Sequence, residues 1–254
     1  ARDYITKPFI WEDLLSAIDK ALEQRVSLLE NRRYNEILED RVRQRTLELA
    51  DKNREISVML INTIQSLVST LEAKDTYTEG HSWKVALLAS DLARRIGTEE
   101  SFQENISLAG LLHDIGKIGV RDTVLNKAAT LTKEEYAHVK QHPVIGERIL
   151  TPLEPLRELL FAVRHHHERF DGKGYPDGLA GGKIPLAARI LGIADTYDAI
   201  TSRRAYRSAR SHDAALEIIE KEADRQFDPD LAKEFLAMPQ TGQAEGKHLS
   251  RLAP

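Results

Sequence analysis

The stretch LLHDIGKIGV, residues 111–120, is the part of the sequence around which its other unusual features can be organised. It places His113 directly before Asp114, and both side chains can bind one divalent cation. Because a carboxylate has two oxygens, Asp114 could also bridge a pair of metal ions. A single His-Asp pair often occurs by chance, and a buried histidine hydrogen-bonded to an aspartate is equally compatible with it. The metal-site interpretation therefore depends on the rest of the chain.

The composition narrows the class of protein. The chain has 254 residues, 41% of them hydrophobic, which is enough for the core of one or two domains. A net charge of -4 gives no signal for nucleic acid or for a membrane surface, so we expect neither partner. There is no cysteine, so any metal must be held by nitrogen and oxygen. We find no signal-peptide pattern and no apolar run near the ~20 residues of a membrane span, and we expect a cytoplasmic protein.

The N-terminal part predicts two segments. Residues 1–23, with Lys7-Pro8 before an amphipathic helix, resemble the end of a response-regulator receiver domain, although a generic helix after a turn also fits. Residues 24–73 contain no glycine or proline, and Val42, Leu49 and Ile56 are seven residues apart. This spacing favours a coiled-coil connector that pairs two chains over a long helix folded onto its own domain. The repeat breaks between Leu29 and Leu38, which suggests a stutter in the seam.

Helix signals follow on both sides of the His-Asp pair. One helix is predicted from Thr78 or Glu79 to Gly97, with His81 in its first turn, where the histidine could be a ligand or an ordinary capping residue. A second is predicted from Glu100 to Leu112. In the turn after it, Lys117 lies between glycines that leave its ammonium group free to approach an anion, although an ordinary exposed lysine is the alternative.

Further histidines follow these helices. Thr132 and Glu135 form a capping box at the start of another helix, and His142 is expected just outside the helix that Pro143 opens. Residues 155–168 are predicted as one helix that ends in three consecutive histidines. Because three neighbouring side chains cannot all face one core, at least one of them must face solvent or bind a ligand.

The segment after the histidines is rich in glycine. Tyr175 and Pro176 form a rigid apolar patch within it, which is unusual for a simple linker. The next helix places Asp195 and Asp198 on nearly one face, three residues apart. A basic cluster follows, which includes Arg203, Arg204 and Arg207; such a cluster is either solvated or binds phosphate.

Taken together, these motifs resemble the HD-GYP family, a branch of the HD metal-dependent phosphohydrolases. The resemblance covers about residues 74–236. The motifs that carry it, in chain order, are HSxxV at His81, HDIGK at residues 113–117, HP at His142, HHExxDGxGYPDGL at residues 166–179 and ARIxxIADxYDAxTSxRxYR at residues 188–207.

The resemblance implies two divalent metal ions and favours iron or manganese. The first is expected on His81, His113, Asp114 and Asp195. Asp114 would bridge to the second, which is completed by His142, His166 and His167. Some family members hold a third ion through a glutamate four residues before the first histidine; this chain has Tyr77 there, so we expect two ions.

The resemblance further implies hydrolysis of the bacterial second messenger cyclic di-GMP, to linear pGpG or on to GMP, by an all-α HD domain behind a dimerising helix. Asp114 and Lys117 are the predicted catalytic residues. Lys117, Arg204 and Arg207 are expected to contact phosphate, and Tyr175 to contact a guanine. The GYP loop is an expected contact for diguanylate cyclase (GGDEF) domains.

Three rival functions remain open. One is a purely structural coiled-coil adaptor, which would leave the group of histidines unexplained. The chain could hydrolyse another cyclic dinucleotide, since the motifs fix the phosphodiester chemistry better than the base. It could also be a regulatory module that binds cyclic di-GMP or a diguanylate cyclase without turnover, although such a module has no need of a full ligand set. The expected domains are a receiver remnant (1–23), a helical connector (24–73), a catalytic domain (74–238) and a disordered tail (239–254).

Overall fold

The computed structural model describes residues 10–75, 80–127, 129–202 and 209–238, and these residues form ten α-helices and no β-strand. The helices are α1 (Trp11–Lys74), α2 (His81–Arg95), α3 (Glu100–Leu112), α4 (Asp122–Leu125), α5 (Lys133–Val139), α6 (His142–Leu150), α7 (Leu160–His165), α8 (Leu186–Thr201), α9 (His212–Lys221) and α10 (Pro229–Leu236). This architecture confirms the predicted all-helical fold. The predicted receiver features at Lys7-Pro8 and the predicted tail lie outside the described residues.

Helix α1 is 64 residues long and runs without interruption through residues 29–38, where the apolar repeat breaks. The chain divides into two compact units, and α1 contributes to both, with the division after Leu60. In the first unit the residues of the predicted seam face outward, with Val42 59%, Leu49 63% and Ile56 63% exposed. The pairing of two chains through this seam stays a prediction.

The second unit begins at Ile61, upstream of the predicted domain start at residue 74. The last turns of α1 belong to its core, where Ile64, Val68 and Leu71 are buried. Burial of these side chains removes their apolar surface from water, which is the main stabilising contribution to such a bundle.

The centre of the core is formed by α2, α3 and α8. Helices α2 and α3 approach each other closely at Gly110, where an added Cβ would lie only 2.5 Å from the Cα of Ala86. Ile190 and Leu191 of α8 are fully buried in the same core. The tight α2–α3 contact fixes the end of α3, and therefore the position of the His113-Asp114 pair that follows it.

One described helix is long and apolar enough, by length and composition alone, to cross a membrane. It is α1, in which an 18-residue window has a mean hydropathy of 1.3. Core helices of soluble proteins meet the same criterion, and 17% of this window is buried in the protein. The expectation of no membrane partner stays a prediction.

Several predicted helix limits agree with the structure. Helix α3 spans Glu100–Leu112 as expected, and Thr132 caps α5 through a complete capping box with Glu135. Gly97 lies just beyond α2 with φ 77°, a left-handed conformation that glycine adopts without strain. The expected start of α2 at Thr78 or Glu79 lies outside the described residues; the described helix begins at His81, after Gly80 with φ 72°.

Two predicted limits are wrong. Residues 155–168 are not one α-helix: a 3₁₀-helix spans Glu154–Leu159, and α7 then covers only Leu160–His165. His142 is the first residue of α6 rather than the residue before it. Proline is tolerated throughout the first helical turn, where the backbone N–H groups have no intrahelical acceptor, so Pro143 marks the start of the helix only to within a residue.

Candidate metal centre

Five helices of the second unit bring the predicted ligands together at their ends or on one face. His81 begins α2, His113 follows α3, His142 begins α6, His166 follows α7 and Asp195 lies within α8. Within the described residues there are two groups of side chains whose ligand atoms all lie within 4.8 Å of one another. The first is His81, His113 and Asp114; the second is Asp114, His142, His166 and His167.

Asp114 belongs to both groups, and its two oxygens face different neighbours. Its Oδ1 lies 3.3 Å from His142 Nε2, whereas its Oδ2 lies 3.4 Å from His113 Nε2 and 3.9 Å from His81 Nε2. Burial would raise the pKa of Asp114, but the Lys117 ammonium and the His113 ring hold it well below its usual range. The carboxylate is therefore ionised at neutral pH and has one oxygen on each side of the site.

Three of the histidines are oriented by the backbone in the same way. In each, Nδ1 lies within hydrogen-bonding distance of the carbonyl oxygen three residues earlier. The pairs are His113 with Gly110 at 2.7 Å, His142 with Val139 at 2.8 Å and His166 with Val163 at 2.7 Å. Because a carbonyl oxygen only accepts, Nδ1 must carry the proton. In a neutral ring the Nε2 lone pair then points into the site, as a metal ligand requires.

The contact between His142 and His166 tests whether these residues fit a cation. Their Nε2 atoms face each other at 3.4 Å. Burial lowers the pKa of both rings, so both are neutral, and with Nδ1 protonated each Nε2 offers only a lone pair. Two facing lone pairs repel each other, whereas a divalent cation close to both nitrogens makes the arrangement favourable. The donor set therefore fits a metal ion.

His167 completes this group without a backbone partner for Nδ1 among the described residues. Burial, followed by the charge of His142, lowers its pKa to about 3, so the ring stays neutral well below pH 7. Its face lies against Tyr175, with ring centroids 4.9 Å apart. Tyr175 thus lies directly beside a predicted ligand.

His81 is held by two carboxylates of α8 that are three residues apart. Asp198 Oδ2 lies 2.6 Å from Nδ1, and Asp195 Oδ1 lies 3.3 Å from Nε2. Burial would lower the pKa of His81, but these carboxylates raise it to about 9. Within the described part of the chain, the buried Nε2 of His113 makes no hydrogen bond, and the nearest described partner of His81 Nε2 is the Asp195 carboxylate. Buried polar atoms without a partner are costly, and a cation near both nitrogens and the carboxylates removes that cost.

Lys117 reaches the same site from the short 3₁₀-helix after Asp114. Its Nζ lies 2.7 Å from Asp114 Oδ2 and 3.2 Å from Asp75 Oδ2, and the side chain is only 14% exposed. Lys117 is thus an enclosed cation beside the central carboxylate, not an ordinary surface lysine. Gly116 permits this turn, because an added Cβ would lie 1.9 Å from the carbonyl oxygen of His142.

A cavity of about 660 Å³ opens beside the predicted ligands His166, His167 and Asp195. Tyr175 lies in its wall, together with Lys140 from the end of α5. The volume is in the range of small-molecule sites, and polar and aromatic side chains share the wall. A ligand in this cavity would lie directly against the histidine cluster.

The glycine-rich segment that carries Tyr175 is fastened by a buried carboxylate. Glu168 accepts hydrogen bonds from the backbone N–H groups of Asp177, Gly178 and Leu179 at 2.7, 3.0 and 3.0 Å. Gly174 lies so close to this carboxylate's own backbone that an added Cβ would be 2.4 Å from the Cα of Glu168. These contacts hold the loop in one conformation and place Tyr175 on His167.

All seven predicted ligands lie around one centre, with Asp195 beside His81. Lys117 and Tyr175 border it, whereas the predicted phosphate contacts Arg204 and Arg207, like the neighbouring Arg203, lie outside the described residues. Sequence reasoning assigned no role to Asp198, Lys140 or Glu168. For Asp198 there was one signal in the sequence, its spacing of three residues from Asp195.

This chain is similar to a protein family and to curated relatives, and all of them agree with the family resemblance of the sequence. A family model described as HD domain matches residues 55–231. A curated cyclic di-GMP phosphodiesterase of Thermotoga maritima is 34% identical, over 94% of this chain and 65% of the relative. A 3'3'-cGAMP-specific phosphodiesterase of Vibrio cholerae is 39% identical, over 63% of this chain and 35% of the relative. This chain therefore spans less than two thirds of either relative's length.

The fold has a counterpart among solved structures. The crystal structure of a cyclic GMP-AMP specific phosphodiesterase of Vibrio cholerae aligns with a TM-score of 0.54 and 18% identity, over 75% of this chain and 51% of that chain. At this identity the alignment supports the helical fold alone.

Proposed function

This chain belongs to the HD domain family, and on that premise we propose that it is a metal-dependent phosphodiesterase that hydrolyses cyclic di-GMP to linear pGpG or GMP. The observation that carries the proposal is the pair of ligand groups that share Asp114 beside a cavity. The relatives support the choice of substrate class, because the Thermotoga protein is named as a cyclic di-GMP phosphodiesterase. The HD-GYP motifs in the sequence favour the same substrate.

Two divalent ions are proposed, iron or manganese, both of which accept imidazole and carboxylate ligands. His81, His113, Asp114 and Asp195 would hold the first. His142, His166 and His167, with Asp114 between the two, would hold the second. Such ions supply Lewis acidity for an attacking water and for the phosphate oxygens.

The side chains around the ions have roles of their own. Lys117 offers an enclosed positive charge beside Asp114 and would stabilise the charge that builds on a phosphate oxygen. Tyr175, fixed against His167, presents a rigid aromatic ring to the cavity and would contact a guanine base. Arg204 and Arg207 are proposed as further phosphate contacts on the basis of the sequence motif.

A second candidate substrate is 3'3'-cGAMP, because the relative of that name is 39% identical over 63% of this chain. The two cyclic dinucleotides have the same two phosphodiesters and differ in one base. The proposed centre would treat their phosphodiesters alike, so the difference must arise from the cavity wall.

The wider assembly is proposed from the sequence. Helix α1 would pair two chains, the loop around Tyr175 would contact diguanylate cyclase domains, and the protein would act in the cytoplasm as the output part of a signalling protein. The outward apolar side chains of α1 support the first of these proposals. The family resemblance supports the second.

The test is hydrolysis of cyclic di-GMP and 3'3'-cGAMP by protein loaded anaerobically with Fe(II) or Mn(II). We expect metal-dependent hydrolysis that is faster for cyclic di-GMP than for 3'3'-cGAMP, with release of pGpG or GMP from cyclic di-GMP. Asp114→Asn should lower the bound metal and reduce turnover by about a thousandfold or more, since it removes the shared ligand. Asp213→Asn, at an exposed aspartate of α9, is the matched control and should retain the wild-type rate.

The outcomes separate the alternatives. If 3'3'-cGAMP is hydrolysed faster, we would conclude that it is the substrate and that the metal-dependent mechanism is the same. Tight binding of cyclic di-GMP without turnover in the metal-loaded protein would overturn the phosphodiesterase and favour a regulatory module.

A further inference from the structure

Among the described residues, four cationic side chains line the cavity beside the metal centre, and they differ in their partners. They are Lys140, Arg169, Lys173 and Arg189. Arg169 pairs with Asp171 at 3.0 Å, and Arg189 pairs with Asp228. Within the described residues, neither lysine has a carboxylate oxygen within 4.0 Å. The lysines are thus the cavity cations whose charge is not already matched by a carboxylate in the described part of the chain.

Lys140 is held in place, whereas Lys173 is exposed on the loop. The Lys140 ammonium lies 4.6 Å from the ring centroid of Tyr136 and 5.2 Å from that of Tyr175. Attraction between a cation and the faces of two aromatic rings limits where the ammonium can move. Its position is therefore set by the protein before any ligand arrives.

The position of Lys140 relative to the metal centre follows from the same contacts. The Tyr175 ring that lies near its ammonium also lies on His167, with centroids 4.9 Å apart. One aromatic ring thus separates the Lys140 charge from a proposed metal ligand. Lys117, by contrast, lies against Asp114, at the centre itself.

The chemistry of the proposed substrate requires a second cationic site. A cyclic dinucleotide carries two phosphodiesters in one ring, and only one of them can lie on the metal ions at a time. The other keeps its full negative charge inside a cavity whose wall also carries Asp195, Glu168 and Asp228. An unpaired charge removed from water in such surroundings is strongly unfavourable.

We propose that Lys140, held by Tyr136 and Tyr175, binds the phosphodiester that is not being cleaved. The inference rests on the proposed function and specifies how the cavity distinguishes a cyclic dinucleotide from a substrate with a single phosphodiester. Because this phosphate does not react, its contact with Lys140 is the same in the ground state and the transition state. Loss of the contact should therefore raise KM and change kcat little.

The test is Lys140→Gln, which keeps the length of the side chain and removes its charge. Steady-state kinetics are measured with cyclic di-GMP and with bis(p-nitrophenyl) phosphate, a compound with one phosphodiester. We expect KM for cyclic di-GMP to rise about tenfold to a hundredfold, and at least about tenfold more than KM for the single phosphodiester. Lys133→Gln, at the exposed first residue of the same helix α5, is the matched control and should behave as wild type.

Other results would overturn the inference. They are an unchanged KM for cyclic di-GMP, an equal effect on both compounds, or a fall in kcat with unchanged KM, which would place Lys140 at the reacting centre. Metal content is measured for each variant, so that a loss of ions is recognised.

A binding experiment separates this inference from the proposed function. Calorimetric titration with cyclic di-GMP needs no turnover and should show the same loss of affinity in Lys140→Gln. If the metal-loaded wild type binds the dinucleotide without hydrolysing it, the proposed phosphodiesterase fails while the lysine contact is still tested. If the wild type neither binds nor hydrolyses it, both proposals fail.

Discussion

At the scale of single residues, the site depends on which nitrogen of each histidine faces inward. Histidines that follow a helix, such as His113 and His166, can use the carbonyl oxygen three residues earlier to hold Nδ1. Within the described residues, no backbone carbonyl oxygen lies in hydrogen-bonding distance of the Nδ1 of His81. Asp198 takes its place, at 2.6 Å from Nδ1. A carboxylate in this position fixes the tautomer and also makes the ring a stronger ligand.

We therefore predict that Asp198→Asn lowers the affinity for the first metal ion about tenfold to a hundredfold. The amide oxygen of asparagine can still accept the Nδ1 proton, but its negative charge is lost, so the ring is a weaker donor. Metal affinity is measured by competition with a chromophoric chelator. Asp91→Asn changes a carboxylate that pairs with Arg94 on the surface of α2 and should leave the affinity unchanged. Equal affinities in all three proteins would contradict the prediction.

The resemblance in the sequence named the proposed ligands, but it did not name the residues that hold the site in place. The family resemblance implied His142 and His167 as ligands, and the structure places both beside Asp114. The contacts of Glu168 and Lys140 depend on segments that only the folded chain brings together, namely residues 177–179 for Glu168 and Tyr175 for Lys140. A local pattern contains no information about such contacts, so sequence reasoning left both residues without a role.

At the scale of helices, the sequence predicted a helix limit correctly where the limit depends on the backbone of a few neighbouring residues. The capping box at Thr132 begins α5, and the left-handed Gly97 ends α2. Both features act within a few residues, and both were predicted. Residues 154–165 were harder, because a 3₁₀-helix and an α-helix bury their apolar side chains with similar spacing over one or two turns. Leu156, Leu159 and Val163 are all buried, although the segment changes helix type between them.

Helix α1 leads to a prediction about assembly. Leu49 lies on the predicted seam and Leu47 on the opposite face, and they are 63% and 61% exposed in the single chain. If two chains pair through the seam, Leu49→Glu places a charge in a buried contact and should shift the protein from dimer to monomer. Leu47→Glu introduces the same charge outside the seam and should leave the dimer intact. Sedimentation velocity measures both.

The pairing would be contradicted by a monomeric wild-type protein or by equal behaviour of the two variants. Equal disruption by both would indicate a contact that covers the whole circumference of the helix, such as a bundle of more than two chains.

At the scale of the whole molecule, the proposed ions connect segments that are far apart in the sequence. Their ligands begin at His81 and end at Asp195, so five helices of the second unit meet at one centre. Burial of the histidines there places polar nitrogens in the middle of an otherwise apolar bundle. In the absence of a cation these nitrogens oppose folding, and with one they stabilise it.

Removal of the metal should therefore lower the unfolding temperature. An ion that binds only the folded chain, at about a hundred times its Kd, adds about 2.7 kcal/mol of stability. For a protein of this size that corresponds to roughly 5–10 °C. Calorimetry before and after treatment with a chelator measures the difference, and addition of Mn(II) should restore it. Asp114→Asn lacks the shared ligand and should show a much smaller change, because neither ion then has its full set of donors. An equal shift in this variant would mean that the stabilising ion binds somewhere other than at the centre between His81 and His167.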